Sequence, residues 1–274
     1  MAPMRDHRGS IGRHYGGKQF AERILAAAKD AGVDPITPAG LAPADEFHTG
    51  GIRSTRELAA LAELSAGQSV LDVGCGIGGP ARILAAEFGC SVTGIDLMPE
   101  FVRSACVLTE ACGLSERVTF VEGNALAMPF DDGRFDVAWT QHVVMNIEDR
   151  PGFYREAARV LKPGGIFAFF DVLAGSGDPL DYPVPWADRP AISFLYGPDE
   201  TRAFLADAGF ELAAWEDHTE RYVNMLSAMP PAPAGAALTL RLVMGDDMPR
   251  KTRNMLEAAR DGRLTYARAV CRKP

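Results

Sequence analysis

The chemistry open to this chain concentrates in one short stretch, VLDVGCGIGG, from Val70 to Gly79. Glycines at 74, 76, 78 and 79 let the backbone approach a ligand closely and reach positive φ where a side chain would clash. The stretch lies between an apolar run, QSVLDV, and a helix-like segment, PARILAAEFG, with Pro80 in its first turn. Seventeen residues past Gly79 the next apolar run ends at Asp96. An acidic residue there points at the ribose hydroxyls of a bound nucleoside. As a bare pattern, Gly74-x-Gly76-x-x-Gly79 also meets the dinucleotide fingerprint, which leaves a nicotinamide cofactor open.

Three features turn the reading toward S-adenosylmethionine. Asp72 stands two residues before Gly74, and a carboxylate there repels a pyrophosphate but suits a cationic amine and sulfonium. A third run ends in GNALAMPF, placing Asn124 to meet an adenine edge and Met128 or Phe130 to line its flank. A fourth, FDVAWTQHVV, puts Gln141 and His142 just beyond a strand, at the sheet edge where ligands bind.

Strands alternating with helices of about 10–15 residues must position these groups, and the pattern repeats through five units up to IFAFFDV. Near-continuous apolar strands predict a mostly parallel, doubly wound α/β sheet covered on both faces. Residues 1–53 read as an N-terminal helical extension, with one helix in KQFAERILAAAKDAG followed by a Pro/Gly segment, VDPITPAGLAPADEF. The main domain runs over 54–274 and opens on a helix capped by Ser54 or Thr55. Prolines 179, 183, 185 and 190 exclude a regular helix over 174–198, and Tyr182, Trp186 and Phe194 argue against a solvated linker. That segment reads as a cover over the site. Residues 221–262 read as a helical insertion broken by MPPAPAGA.

Composition narrows the partners. The chain has 274 residues, 47% of them apolar, with 28 Lys and Arg against 36 Asp and Glu, a formal charge of −8. No basic run offsets that acidity, so neither nucleic acid nor an anionic membrane surface is an expected partner. Five cysteines without a C-x-x-C pair point to reduced thiols and a cytoplasmic location. No apolar run reaches the roughly 20 residues of a spanning helix. Histidines at 7, 14, 48, 142 and 218 show no metal-ligand spacing. Nothing in the sequence sets the oligomeric state.

Val70–Gly165 resembles the class I S-adenosylmethionine-dependent methyltransferases. VLDVGCGIGG, GIDL, GNALAMPFDDGRFDVAW and RVLKPGG stand in that family's order. The resemblance implies a seven-stranded Rossmann-like sheet whose last strand, LTYARAVCRK, inserts antiparallel between the fifth strand and FELAAWED as the sixth. It also implies that Asp72, Gly74 and Gly76 line the methionine part of the cofactor and Asp96 takes the ribose hydroxyls. Leu97 would flank the adenine, with Asn124 and Ala125 at its edge and Gln141 beside the cofactor. The family more often has aspartate where Asn124 stands, and an amide can donate as well as accept. Tyr15-Gly16-Gly17, EFHTGG, TQHVVMNI and YPVPWA resemble the sarcosine/dimethylglycine methyltransferase branch. That likeness implies a small-molecule acceptor, foremost an amine nitrogen, with carbon and oxygen as alternatives and S-adenosylhomocysteine as product.

Methyl transfer from a sulfonium is a direct displacement, so the protein's task is alignment and exclusion of water. His142 is the candidate base, expected near its ordinary pKa, or else a group that orients substrate. Met145 and Asn146 follow it and are expected to face the same cleft. His48, in HTGG, and Tyr15, in the extension, are candidate ligand contacts. Trp186 is the aromatic candidate in the cover, as a cation–π face or as a hydrophobic anchor.

Overall fold

The computed structural model describes residues 19–229 and 237–274. Seven strands form one sheet, β1 (Ser69–Val73), β2 (Ser91–Asp96), β3 (Val118–Glu122), β4 (Phe135–Gln141), β5 (Leu161–Ala174), β6 (Glu211–Asp217) and β7 (Leu264–Arg272). Their order is β3-β2-β1-β4-β5-β7-β6. The first five are mutually parallel, with Asp72 opposite Gly94 of β2 and Trp139 of β4. β7 runs antiparallel between β5 and β6, as the resemblance implied. The strand order reverses at β1, and in such sheets the crevice outside the carboxyl ends at that point receives ligands.

Burial on both faces follows from the sequence. Val70, Leu71, Val137, Ala138, Phe167 and Phe169 are all inaccessible or nearly so, because helices cover each side. The helix Phe20–Asp30 buries Phe20, Ile24 and Ala28 of its apolar face, with Leu25 half-buried, and Phe20 meets Phe101 of the helix Pro99–Ala111 at 5.6 Å between ring centroids. Two local expectations fail. The Pro/Gly segment contains a helix, Pro38–Asp45, because Thr37 caps it by accepting from the Gly40 amide and Pro38 takes its first position. The next helix runs Gly51–Leu61 and starts from Gly50 at φ 86°, so Ser54 and Thr55 lie inside it. Their hydroxyls turn inward instead, Ser54 to the Thr49 carbonyl and Thr55 to the Glu46 carboxylate.

The segment 174–198 folds back on the molecule. Val184 and Ala187 form a two-residue bridge, Pro190–Ile192 makes one 3-10 turn, and Val184, Trp186 and Ala187 are buried. In the expected insertion, helices span Thr219–Ala228, Arg241–Met244 and Met248–Arg260. Most of MPPAPAGA lies outside the described residues. Among the described residues, no helix is long and apolar enough to cross a membrane.

A buried ion pair ties the extension to the sheet. Arg82, at the start of Gly79–Phe88, donates to Asp45 at 2.6 Å, with both side chains inaccessible. The two chains run so close that a Cβ on Gly79 would stand 2.4 Å from the Asp45 carbonyl oxygen. Gly79→Ala is therefore expected to destabilise the chain by about 1–3 kcal/mol in denaturant unfolding, since backbone rather than a flexible side chain must move. An unchanged midpoint would show that this contact is not tight.

Candidate functional site

A cavity of about 870 Å³ opens at the carboxyl edge of the sheet. Its wall takes Gly74–Gly76 after β1, Asp96–Met98 after β2, Glu122–Leu126 at β3 and Gln141–Val143 at β4. Three backbone features make the first turn fit. Gly74 sits at φ 74° and donates to the Ile95 carbonyl at 2.8 Å, and its missing Cβ leaves room for Val143. Gly76, at φ 53°, donates to Asp96 Oδ2 at 2.9 Å. The Met98 amide donates to Asp96 Oδ1 at 2.9 Å. Asp96 is thus a fixed acceptor that keeps lone pairs for hydroxyl donors. Burial pushes its pKa up to about 6, against the lowering effect of these amides.

Asp72 is 3% exposed, and its Oδ2 has no hydrogen-bond partner. Burial, then the negative charges of Glu46 and Asp96, push its carboxyl up to about 8. Gln141 is fixed in the opposite sense. Its Oε1 accepts from Trp139 Nε1 at 3.0 Å and Thr55 Oγ1 at 3.3 Å, which leaves the buried Nε2 without a partner. Of the two, Gln141 lines the cavity, where its unpaired amide can donate to a ligand acceptor, whereas Asp72 is buried and forms no part of the wall. A pyrophosphate would face Asp96 with no gain. Asn124 accepts the Leu126 amide at 2.9 Å through Oδ1, so its Nδ2 keeps the donating role. Leu97, Ala125 and Leu126 line the same cavity, whereas Met128 and Phe130 are buried in the core under β3.

The other end holds the acceptor candidates. His142 sits at φ 54°, its amide donating to the Phe170 carbonyl at 2.8 Å. Its ring lies 4.7 Å from Phe170 and 6.1 Å from His48, and Nε2 is buried without a partner. Burial first, then the neighbouring His48, hold the imidazole pKa well below its ordinary value. The ring is therefore neutral at neutral pH, whereas its sequence context suggested a pKa near 7. His48 is 5% exposed and bonds through Nε2 to the buried Glu46 carboxylate at 2.6 Å. Met145, Asn146 and Trp186 all line the cavity. Asn146 donates to the carbonyls of Trp186 and Ile192, both at 2.9 Å, so its amide pins the cover down. Trp186 is 2% exposed and donates to Ser193 Oγ, which makes it an anchor as well as a wall. Tyr15 lies outside the described residues. Among the described residues, no three His, Cys, Asp or Glu side chains are grouped to hold a metal ion.

Residues 71–169 match the family described as methyltransferase domain. The chain is similar to this family over that stretch. It is 35% identical over 152 residues to sarcosine/dimethylglycine N-methyltransferase of Halorhodospira halochloris, covering 56% of this chain and 54% of that protein. It is also 36% identical over 157 residues to a sterol 24-C-methyltransferase of Gibberella zeae, covering 55% and 41% respectively. The matched stretch therefore spans about half or less of these relatives. The solved geranyl diphosphate C-methyltransferase of Streptomyces coelicolor A3(2) superposes over all of both chains with TM-score 0.73 at 19% identity, a likeness of fold.

Several groups in this site escaped the sequence reading. Asp171 of β5 is fully buried, and its Oδ1 accepts the Val143 amide at 3.0 Å, holding the turn that carries His142. Its signal was a charged residue inside an apolar strand. Asp45, Phe101 and Met244, on helices, and Phe47, in the connection before Gly51–Leu61, also reach the cavity. Burial raises Asp171 to about 7, alongside Asp96 near 6 and Asp72 near 8. The folded chain thus holds protons at these sites that the unfolded chain has lost above about pH 4. The stability they contribute is present at low pH and is lost as pH rises through about 6 to 8. The melting temperature of the ligand-free protein is expected to fall from about pH 6 to about pH 8.5, and Asp72→Asn to flatten the slope. A melting temperature that stays level or rises in the unsubstituted protein would contradict the burial of these carboxyls.

Proposed function

We propose that this chain transfers the methyl group of S-adenosylmethionine to a small-molecule acceptor. The Asp96 carboxyl at the end of β2, fixed by the Gly76 and Met98 amides with lone pairs left for hydroxyl donors, carries the reading together with the methyltransferase-domain match over residues 71–169. When bound, S-adenosylmethionine supplies an electrophilic methyl on a sulfonium and leaves as S-adenosylhomocysteine. The chain's own residues do the rest. Asp96 accepts from the ribose hydroxyls with the lone pairs its two amide partners leave free. Asn124 donates through Nδ2 toward an adenine nitrogen, reversing the polarity an aspartate would have there. Leu97 and Ala125 flank the base, and Gln141 donates into the same cavity.

At the acceptor end the neutral His142 imidazole accepts a proton or a hydrogen bond at Nε2. Met145, Trp186 and His48 wall that end and keep water out. An amine nitrogen is the foremost acceptor, in keeping with the relative that methylates sarcosine and dimethylglycine. The relative that methylates a sterol carbon makes a carbon or oxygen acceptor the second reading. The division of the chain into an extension over 1–53 and a main domain over 54–274 follows the same reading, with the extension closing one wall of the cavity.

Calorimetry with S-adenosylmethionine and NAD side by side tests the cofactor. Binding of the first and not the second is expected, and tight NAD binding alone would reverse the assignment. A panel of sarcosine, dimethylglycine and phenols, followed by release of S-adenosylhomocysteine, separates the acceptor classes. With an acceptor in hand, His142→Ala is expected to lower turnover about 10²-fold. Unchanged turnover across pH would remove its role.

A further inference from the structure

Three buried carboxylates crowd the glycine turn, two of them from the extension. Asp45 and Glu46 are each 2% exposed and Asp72 is 3% exposed. Each keeps an oxygen without a hydrogen-bond partner, namely Asp45 Oδ1, Glu46 Oε1 and Asp72 Oδ2. The compensation is partial. Arg82 takes Asp45 Oδ2 at 2.6 Å, and His48 takes Glu46 Oε2 at 2.6 Å. A carboxylate removed from water without a full set of partners is destabilised, so a ligand cation placed here is favoured.

Asp45 is the member of the three that forms part of the cavity wall. Its Oδ1 lies 3.1 Å from where a Cβ on Gly79 would stand, next to the glycine turn. Its direction is set, because Arg82 is itself held by Thr109 Oγ1 at 3.1 Å and the Ala105 carbonyl at 3.4 Å. With the ribose hydroxyls assigned to Asp96, two donors of the cofactor remain, the adenine amino group and the α-ammonium, and only the α-ammonium is charged. Resting on the cofactor reading above, we propose that Asp45 seats this α-ammonium, with the adjacent Glu46 carboxylate adding to the negative potential. The extension then contributes a charged partner to the ligand as well as an apolar wall. Such a charge-assisted bond is the stronger kind, and here its acceptor is held in place before the ligand arrives.

Calorimetry on the full chain tests the proposal with three probes. These are S-adenosylhomocysteine, its deamino analogue with hydrogen in place of the ammonium, and 5′-methylthioadenosine, which lacks the amino-acid end. S-adenosylhomocysteine is expected to bind at least about tenfold more tightly than the deamino analogue. Asp45→Asn is expected to weaken S-adenosylhomocysteine by about tenfold while leaving 5′-methylthioadenosine unchanged, which also reports that the variant is folded. Equal binding of S-adenosylhomocysteine and its deamino analogue to the unsubstituted protein would overturn the assignment, whatever the variant does. So would an Asp45→Asn effect equal for all three probes. If no adenosyl compound binds the unsubstituted protein, the cofactor reading itself falls and takes this assignment with it.

Discussion

The turn after β1 has to pass within hydrogen-bonding reach of the end of β2, and the remainder of the site is arranged around that requirement. Gly74 donates to Ile95, and Gly76 donates to Asp96, so two neighbouring strand ends are bound through backbone amides. Both glycines stand at positive φ, and at Gly74 a side chain would collide with Val143. The same contacts that close the turn therefore set the distance between the glycine backbone, the Asp96 carboxylate and the segment after β4. A wider turn would separate the two ends of the cavity.

Around this turn the chain accumulates buried charge with incomplete compensation. Asp72, Asp96 and Asp171 all have carboxyls raised by burial, and His142 is driven toward its neutral form by the same cause. In an apolar interior each of these would be a defect. Collected at one sheet edge, they form a site whose protonation depends on what occupies it. The balance between stability and ligand recognition is struck here, since the groups that destabilise the empty fold are those suited to a cationic ligand.

The cover and the extension meet this edge by different means. Asn146 and Arg150 reach from the segment after β4 to carbonyls of the cover, at Trp186, Ile192 and Phe194. The extension is held by the Asp45–Arg82 pair and by Thr55 on Glu46. Apart from Thr55 on Glu46, these polar contacts join residues 37 to 46 positions apart in the chain. Apolar packing alone would allow sliding, while paired charges and directed amides define one register.

What the sequence determined by itself was the periodic part. The glycine spacing, the apolar strands and the acidic strand ends are local patterns, and each has one economical backbone solution. The parallel part of the sheet, the cavity at β1, and Asp96, Asn124, Gln141 and His142 at its edge were readable on that basis, while the insertion of β7 came from the family resemblance. The helix Pro38–Asp45, the inward hydroxyls of Ser54 and Thr55, and the role of Asp171 were not. They depend on which distant carboxylate, amide or carbonyl stands opposite, and sequence spacing does not encode that. The protonation of His142 belongs with them, because burial by Phe170 and the nearness of His48 set it. Local residue types chose the elements, and only three-dimensional proximity decided which polar groups were left without partners.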